Sequence, residues 1–253
     1  MTSSELFNNE FDGNDFTLSG ESVGVLLFHG FTATTLEVRN LGKCINQQLG
    51  WTVRAPLLPG HGTCPKDLSR TKYNEWVDCA ETEFDLLKKN FTEIVVGGES
   101  MGGLIALYLA AKYSQIAAVL LYAPALVIPD MPVARFFHKF IYSTKKKNLV
   151  ATKNGFLPWQ GYRVNPLKAV VELGKLQTLI KPMLIDVRQP TLLFQGKQDE
   201  TIDPKSSSII YKSISSIEKH LEELDECGHC VLLDRQHEWV EKKTIDFIKQ
   251  IIE

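Results

Sequence analysis

Five short runs of nearly unbroken apolar residues punctuate the chain: "VGVLLFHG" (23–30), "TVRAPLL" (52–58), "EIVVGGE" (93–99), "AAVLLYAPA" (117–125) and "PTLLFQG" (190–196). Runs of this length without polar alternation suit strands buried on both faces, as in a parallel sheet covered by helices on each side. A sixth run, "KHLEELDEC" (219–227), is more polar and is predicted to lie near a sheet edge. Between the runs, apolar residues at helical spacing predict amphipathic helices over Asn74–Asn90, Met101–Lys112, Pro204–Ser213 and Arg235–Ile252. Strand and helix alternate, which points to βαβ units and an α/β fold with a mostly parallel, doubly wound sheet.

The interval 126–189 breaks this rhythm. It opens "LVIPDMPVARFFHKFIY", passes "TKKKN" and continues "GFLPWQGYRVNP". Asn165 is expected to cap a helix with Pro166 at its first position, and Leu167, Val170, Val171 and Leu173 begin an apolar stripe. Two helices with no strand between them, inserted into an α/β chain, predict a core formed by 1–125 and 190–253 and a small helical cap over residues 126–189. Such a cap would roof a pocket suited to an apolar ligand. The plainer alternative is that these helices complete the core. Lys145–Lys147 is most simply a solvated turn.

Composition narrows the classes. With 253 residues and 44% hydrophobic content, the chain can bury a sizeable core. A net charge of −2 supplies no basic field, which disfavours a nucleic-acid partner. No apolar run approaches the length of a membrane span, so no integral membrane association is expected. The N-terminus "MTSSELFNNEFDGND" lacks the basic and apolar regions of a secretory signal. Five cysteines make an odd number, which argues against a secreted disulfide framework. A cytoplasmic location is the expectation.

The chemistry centres on Gly98-Glu99-Ser100-Met101-Gly102, a G-x-S-x-G pattern between a predicted strand and a predicted helix. That context is what a nucleophile elbow requires: the serine sits on a tight turn, and its second neighbours on each side must be small for strand and helix to approach. The bland reading, a chance match in a chain with 17 glycines, loses ground because the flanking elements are right. Other glycine motifs fail. A dinucleotide fingerprint starting at Gly97 would need glycine at Glu99, and Gly196-Lys197 is followed by Gln198 and lacks the upstream glycine of a phosphate loop.

A serine hydroxyl needs a base, and the base needs an orienting acid. In elbow-type hydrolases these follow in the order serine, acid, histidine, on loops after strands. After "PTLLFQG" the chain reads Lys197-Gln198-Asp199-Glu200-Thr201-Ile202-Asp203-Pro204. Asp203 before Pro204 looks like a helix cap. Asp199 is therefore the better acid, with Glu200 as the fallback. After the next strand, "DECGHC" supplies His229. The other histidines fit worse: His138 lies in the cap interval, His220 begins a strand, His237 belongs to the last helix, and His29 and His61 precede the serine, the latter in a probable-turn string "PGHG".

Cys227-Gly228-His229-Cys230 also reads as a redox dithiol. A dithiol of that kind wants its first cysteine at a helix N-terminus. Here "VLLD" follows where a helix should begin, and there is no second C-x-x-C to complete a zinc site. The histidine is the functional residue of the string; the thiols are expected to be incidental.

With these residues in place, the chain resembles bacterial carboxylesterases and monoacylglycerol lipases of the α/β-hydrolase superfamily. The strings "LLFHGFTAT", "RAPLLPGHGT", "GESMGG", "GKQDETIDP" and "CGHCVLLD" occur in the order and spacing of that family, nearly end to end, and the likeness is weakest through 126–189. The resemblance implies the α/β-hydrolase fold, a catalytic triad of Ser100, Asp199 and His229, and oxyanion-hole N–H donors on Phe31 and Met101. It departs at Ala33 and Thr35, where the family often has glycine and proline. Hydrolysis of a small carboxylic ester with an apolar acyl group, without metal or organic cofactor, is the implied activity. A thioesterase, a serine peptidase and a catalytically silent binding protein on the same scaffold are the alternatives. Dehalogenase and epoxide-hydrolase chemistry would call for a carboxylate where Ser100 stands.

Overall fold

Val25 and Leu27 point to one side of the first long strand and Leu26 and Phe28 to the other, and all four are buried. Two-sided burial of this kind requires a layer of helices on each face. The structure, a computed structural model, describes residues 6–129, 141–145 and 156–252. In chain order the elements are β1 (Leu6–Phe7), β2 (Phe16–Leu18), β3 (Val23–Phe28), α1 (Leu36–Leu49), β4 (Thr52–Ala55), α2 (Pro65–Leu68), α3 (Tyr73–Leu87), β5 (Glu93–Glu99), α4 (Met101–Lys112) and β6 (Ile116–Tyr122). There follow β7 (Ser143–Lys145), β8 (Gly161–Tyr162), β9 (Val164–Pro166), α5 (Leu167–Met183), β10 (Thr191–Gly196), α6 (Lys205–Ser213), β11 (Lys219–Leu224) and α7 (His237–Ile252).

The main sheet has the order β11-β10-β6-β5-β3-β4-β2. It is parallel except for β2, which runs antiparallel to β4. The polar strand β11 lies at one edge, as its composition predicts. Helices α3, α4, α5 and α6 contribute to the core on one face, with Leu26, Val96, Leu121 and Leu193 from the sheet. Helices α1 and α7 cover the other, against Val25, Val95, Leu120 and Phe194. Residues Met101 to Ala110 of α4 are buried apart from Tyr108, as a helix apolar all round must be. Among the described residues no helix is long and apolar enough to cross a membrane.

Helix α1 went unread in the sequence. Its apolar residues Val38, Leu41 and Ile45 do keep helical spacing, but Gly42 interrupts the run. That glycine is a packing device: a Cβ there would meet Phe16 and Val53 at 3.2 Å, so it lets the helix sit close on the sheet. The helix ends at Gly50, whose φ of +69° is the left-handed turn that glycine takes without strain.

The interval 126–189 differs from the expectation of two helices without strands. Its described part holds β7, β8 and β9; β7 pairs with β9, and β8 pairs with β1. Asn165 does not cap a helix. It sits in β9 opposite Thr144, and α5 begins at Leu167 with Pro166 in the capping position, because pairing with β7 keeps Asn165 extended. Most of the first expected cap helix lies outside the described residues, as do His138, Lys146 and Lys147. Helix α5 packs against α4 and α3 and buries Ala169, Leu173, Leu176 and Ile180 in the core, so this stretch completes a core layer. Truncating Leu176, which has no exposed surface, should therefore cost about 2–5 kcal/mol in urea unfolding. A loss below about 0.5 kcal/mol, the range of a surface substitution, would place α5 outside the core.

Candidate active site

Strand β5 turns into α4 through Ser100, whose backbone stands at φ +56°, ψ −112°. Such a conformation costs a residue with a side chain of order 1–3 kcal/mol. Its neighbours hold it there. The Ser100 N–H donates to the Tyr122 carbonyl at 2.8 Å, and its carbonyl accepts the Ala125 N–H at 3.1 Å. Two glycines make the room: a Cβ on Gly102 would lie 2.1 Å from the Phe28 carbonyl oxygen, and one on Gly98 would lie 2.4 Å from the Gly102 carbonyl carbon. The sharp bend exposes the hydroxyl at the C-terminal end of the central strands.

Two further loops converge on it. His229, beyond β11, places Nε2 at 2.9 Å from Ser100 Oγ. Its Nδ1 lies 2.8 Å from Oδ2 of Asp199, beyond β10. An ionised carboxylate only accepts, so Nδ1 carries the proton and Nε2 is left to accept the serine hydroxyl. Asp199 is itself fixed: Oδ1 accepts the N–H groups of Thr201 at 2.8 Å and Ile202 at 3.1 Å. Burial pushes its carboxyl up, but the His229 imidazole and those two N–H groups outweigh burial and hold it below the usual carboxylate range. Glu200, the fallback acid, is exposed, and Asp203 turns its carboxylate to the Lys205 N–H at the start of α6.

Phe31 follows β3 and Met101 opens α4. Neither N–H donates to an acceptor among the described residues, and the first N–H groups of a helix have no partner within it. Gly30, which precedes Phe31, lies against Ser100: a Cβ there would be 3.2 Å from Ser100 Cβ. His29 is buried, and burial pushes it down to about 4, so its neutral ring bridges Gly30 O at 2.9 Å and the Leu58 N–H at 3.1 Å. His61 packs edge-on against it at 4.9 Å, and Ala33 bridges to Gly161. A cavity of about 450 Å³ lined by Ala110, Ile116, Asp186 and Arg188 opens at the opposite edge of the sheet, away from this chemistry.

Gln195 was passed over in the sequence. Its amide donates to Asp199 Oδ2 at 3.2 Å and is anchored by the Ser207 hydroxyl at 2.8 Å. A lone polar residue inside the apolar run "PTLLFQG" was the available signal. Glu37 was missed along with its helix, α1. Cys227 has no exposed surface, and burial pushes its thiol up to about 11, the opposite of what an attacking thiolate needs.

The family model for the α/β hydrolase fold matches residues 24–152. The chain is an α/β hydrolase. Relatives of this α/β hydrolase include a thermostable monoacylglycerol lipase of Bacillus sp. (strain H-257), 31% identical over 229 residues, which cover 89% of this chain and 90% of the relative. A carboxylesterase of Bacillus subtilis (strain 168) is 26% identical over 237 residues, 93% of this chain and 96% of its own. Among solved structures, one of the metagenome-derived lipolytic enzymes LipS and LipT superposes with a TM-score of 0.88 at 25% identity, over 94% of this chain and 98% of that one.

Glu99, beside the nucleophile, has no exposed surface, and its Oε2 has no hydrogen-bond partner. Burial first, then the nearby Glu37 carboxylate, push it well above the usual carboxylate range, against the pull of the Leu232 and Val231 N–H groups. A carboxyl raised on folding contributes stability that is complete below its ordinary value of 4.5 and is lost as pH climbs through the folded value. Glu99→Gln removes that dependence. The melting temperature of the variant relative to the parent should accordingly rise as pH climbs from about 5 into the alkaline range. A difference that stays constant across that range would show that Glu99 is not held neutral.

Proposed function

We propose that Ser100, His229 and Asp199 carry acyl transfer through a covalent acyl-enzyme. The protein is a carboxylic ester hydrolase of the α/β-hydrolase fold. The observation that carries the finer reading is the continuous chain of contacts from Ser100 Oγ to His229 at 2.9 Å and from His229 to Asp199 at 2.8 Å.

In the first half-reaction His229 Nε2 takes the hydroxyl proton as Ser100 Oγ bonds to the ester carbonyl carbon. Asp199 stabilises the imidazolium and holds the ring's tautomer. The carbonyl oxygen becomes an oxyanion received by the N–H groups of Phe31 and Met101; one such donor is typically worth roughly 10²–10³ in rate. The tetrahedral species collapses, the C–O bond to the alcohol breaks, and His229 returns the proton to the leaving oxygen. Water then attacks the acyl-serine by the same steps and releases the carboxylic acid and Ser100. Apart from the ester and water, this scheme uses only the chain's own groups.

The substrate is a small ester with an apolar acyl group, of the monoacylglycerol or medium-chain type. The names of the two Bacillus relatives support this class, as does the apolar cluster of Ala33, Trp159 and Leu233 bordering the oxyanion loop. Within 126–189, the described stretch Phe156–Tyr162 is tied to the loops beyond β3 and β11. It donates the Leu157 N–H to Leu233 O and the Tyr162 N–H to Thr32 O, both at 2.9 Å, and we assign it to the wall of the acyl pocket.

Turnover of a p-nitrophenyl ester series, run beside acyl-CoA and amino-acid anilides, tests the reading. The parent should cleave the esters fastest and be labelled at Ser100 by a fluorophosphonate. Ser100→Ala, His229→Ala and Asp199→Asn should each lower kcat by roughly 10⁴-fold or more while remaining folded. An unlabelled serine, or an active His229→Ala, would refute the triad. Faster thioester or anilide cleavage would move the substrate class. Cys227→Ser, in contrast, should keep most of the parent's ester hydrolysis; a loss as deep as that of His229→Ala would restore the redox reading of the "CGHC" string.

A further inference from the structure

Glu37 stands in the first turn of α1 with 3% of its surface exposed, and its carboxylate reaches behind the nucleophile. Oε2 accepts the Gly30 N–H at 2.5 Å, and Oε1 accepts the Trp159 indole N–H at 3.1 Å. Cys230 Sγ, on the residue next to His229, approaches Oε1 at 3.7 Å. A Cβ on Gly30 would lie 2.9 Å from Glu37 Oε2 and 3.2 Å from Ser100 Cβ, so only Gly30 separates the carboxylate from the nucleophile. The three partners belong to three different segments: the loop that carries Phe31, the stretch before β8, and the loop that carries His229.

We propose that Glu37 is a positioning residue for acyl transfer, which sets the oxyanion loop in register with the His229 loop through its two carboxylate oxygens. This rests on the reading of Ser100, His229 and Asp199 given above. Burying a carboxylate among neutral donors is costly, and an apolar side chain would fill the space at less expense. What the carboxylate supplies is two acceptors in a fixed plane. Gly30 immediately precedes Phe31, so a bond to the Gly30 N–H fixes the peptide plane from which the next N–H projects. An amide at this position has one acceptor and one donor. It can satisfy Gly30 or Trp159 but not both, and it sets donor against donor at whichever is left.

The charge at Glu37 also explains its neighbour. Glu99, from the end of β5, is buried beside it, and burial first and then the Glu37 carboxylate raise it well above the usual carboxylate range. Glu37 keeps its acceptor role because Gly30 and Trp159 solvate it; Glu99 has only backbone N–H groups at one oxygen.

Glu37→Gln and Glu37→Asp are assayed for ester turnover, together with the inhibition constant of a trifluoromethyl ketone, which adds to Ser100 and places an oxyanion on the same N–H donors. If Glu37 positions those donors, Glu37→Gln should lower kcat by about 10²-fold with KM little changed, the scale expected for a displaced oxyanion donor. Affinity for the ketone should fall by the same factor, and Glu37→Asp, which keeps both acceptors on a shorter arm, should recover part of each. A folded Glu37→Gln with kcat and ketone affinity equal to the parent would overturn the proposal, as would a melting-temperature loss with the two kinetic quantities intact. Trp159→Phe removes the indole donor without touching the Gly30 bond, and keeps the question open to test if the Glu37 variants do not fold. It should weaken kcat and ketone affinity in parallel by roughly threefold to tenfold, and no change in either would count against the proposal. A parent enzyme that resists fluorophosphonate labelling would instead remove the triad itself, so the two failures are distinguishable.

Discussion

Everything at this site depends on a serine held in the left-handed region of backbone space at the end of the most central strand. Strain at Ser100 cannot be relieved locally, because the Tyr122 and Ala125 backbones pin both of its peptide groups. Nor can the strand and helix separate, since α4 is buried on nearly every side. The apolar core, far larger than the strained turn, supplies the free energy that keeps one residue in an unfavourable conformation. Gly98 and Gly102 decide where that can happen, because only there does the backbone of β3 come close enough to leave no space for a Cβ. Packing and chemistry share one geometric condition.

The second organising feature is the sorting of charge. Three titratable groups lie buried in or just behind the site, and their surroundings drive them apart. Asp199 is held below the usual carboxylate range by the imidazole and two backbone donors; Glu99 is raised well above it by burial and by a neighbouring carboxylate; His29 is pushed down to about 4 by burial. Each outcome follows from how many donors reach the group relative to the water it loses. A protein interior can keep one carboxylate charged and another neutral within the same small volume only by rationing hydrogen-bond donors in this way.

Much of this was legible in the sequence. The five apolar runs became β3, β4, β5, β6 and β10, and the polar sixth became the edge strand β11, because burial on two faces leaves an unmistakable composition. Ser100 could be placed from its G-x-S-x-G string and Asp199 and His229 from strand-loop order and the family resemblance, with Glu200 left as a fallback acid, and the three side chains meet at hydrogen-bonding distance. What escaped has physical reasons. The Gly42 that lets α1 pack closely also breaks its pattern. The short strands β7, β8 and β9 owe their extended form to partners distant in sequence, and Asn165 and Pro166, a good helix start on local rules, are pulled into β9 by pairing with β7. Helix α5 carries an apolar stripe that fits a roof or a core layer equally well; only its contacts with α3 and α4 decide. Glu37 and Gln195 are single polar residues whose meaning is purely three-dimensional.

The division of labour between the two ends of the molecule explains why those polar residues are the hard ones to read. Below the site, the sheet and its helices are held by non-directional apolar packing, which tolerates exchange among similar side chains and so leaves a broad statistical imprint. At the C-terminal edge the segments come from distant places in the chain, and apolar packing such as that of Ala33, Trp159 and Leu233 does not by itself fix their angles. They are knit by directional bonds instead: Thr34 to Gln160 at 2.8 Å, the Tyr162 hydroxyl to Gly60 O at 2.8 Å and from the Thr63 N–H at 3.0 Å, and Trp159 to Glu37 at 3.1 Å. Each such bond spans a large sequence separation and depends on one atom in one place. Angular precision is what an acyl-transfer site needs, and hydrogen bonds supply it where packing cannot. The loops that carry the candidate site residues are thus ordered by the interactions that leave the faintest trace in a linear sequence.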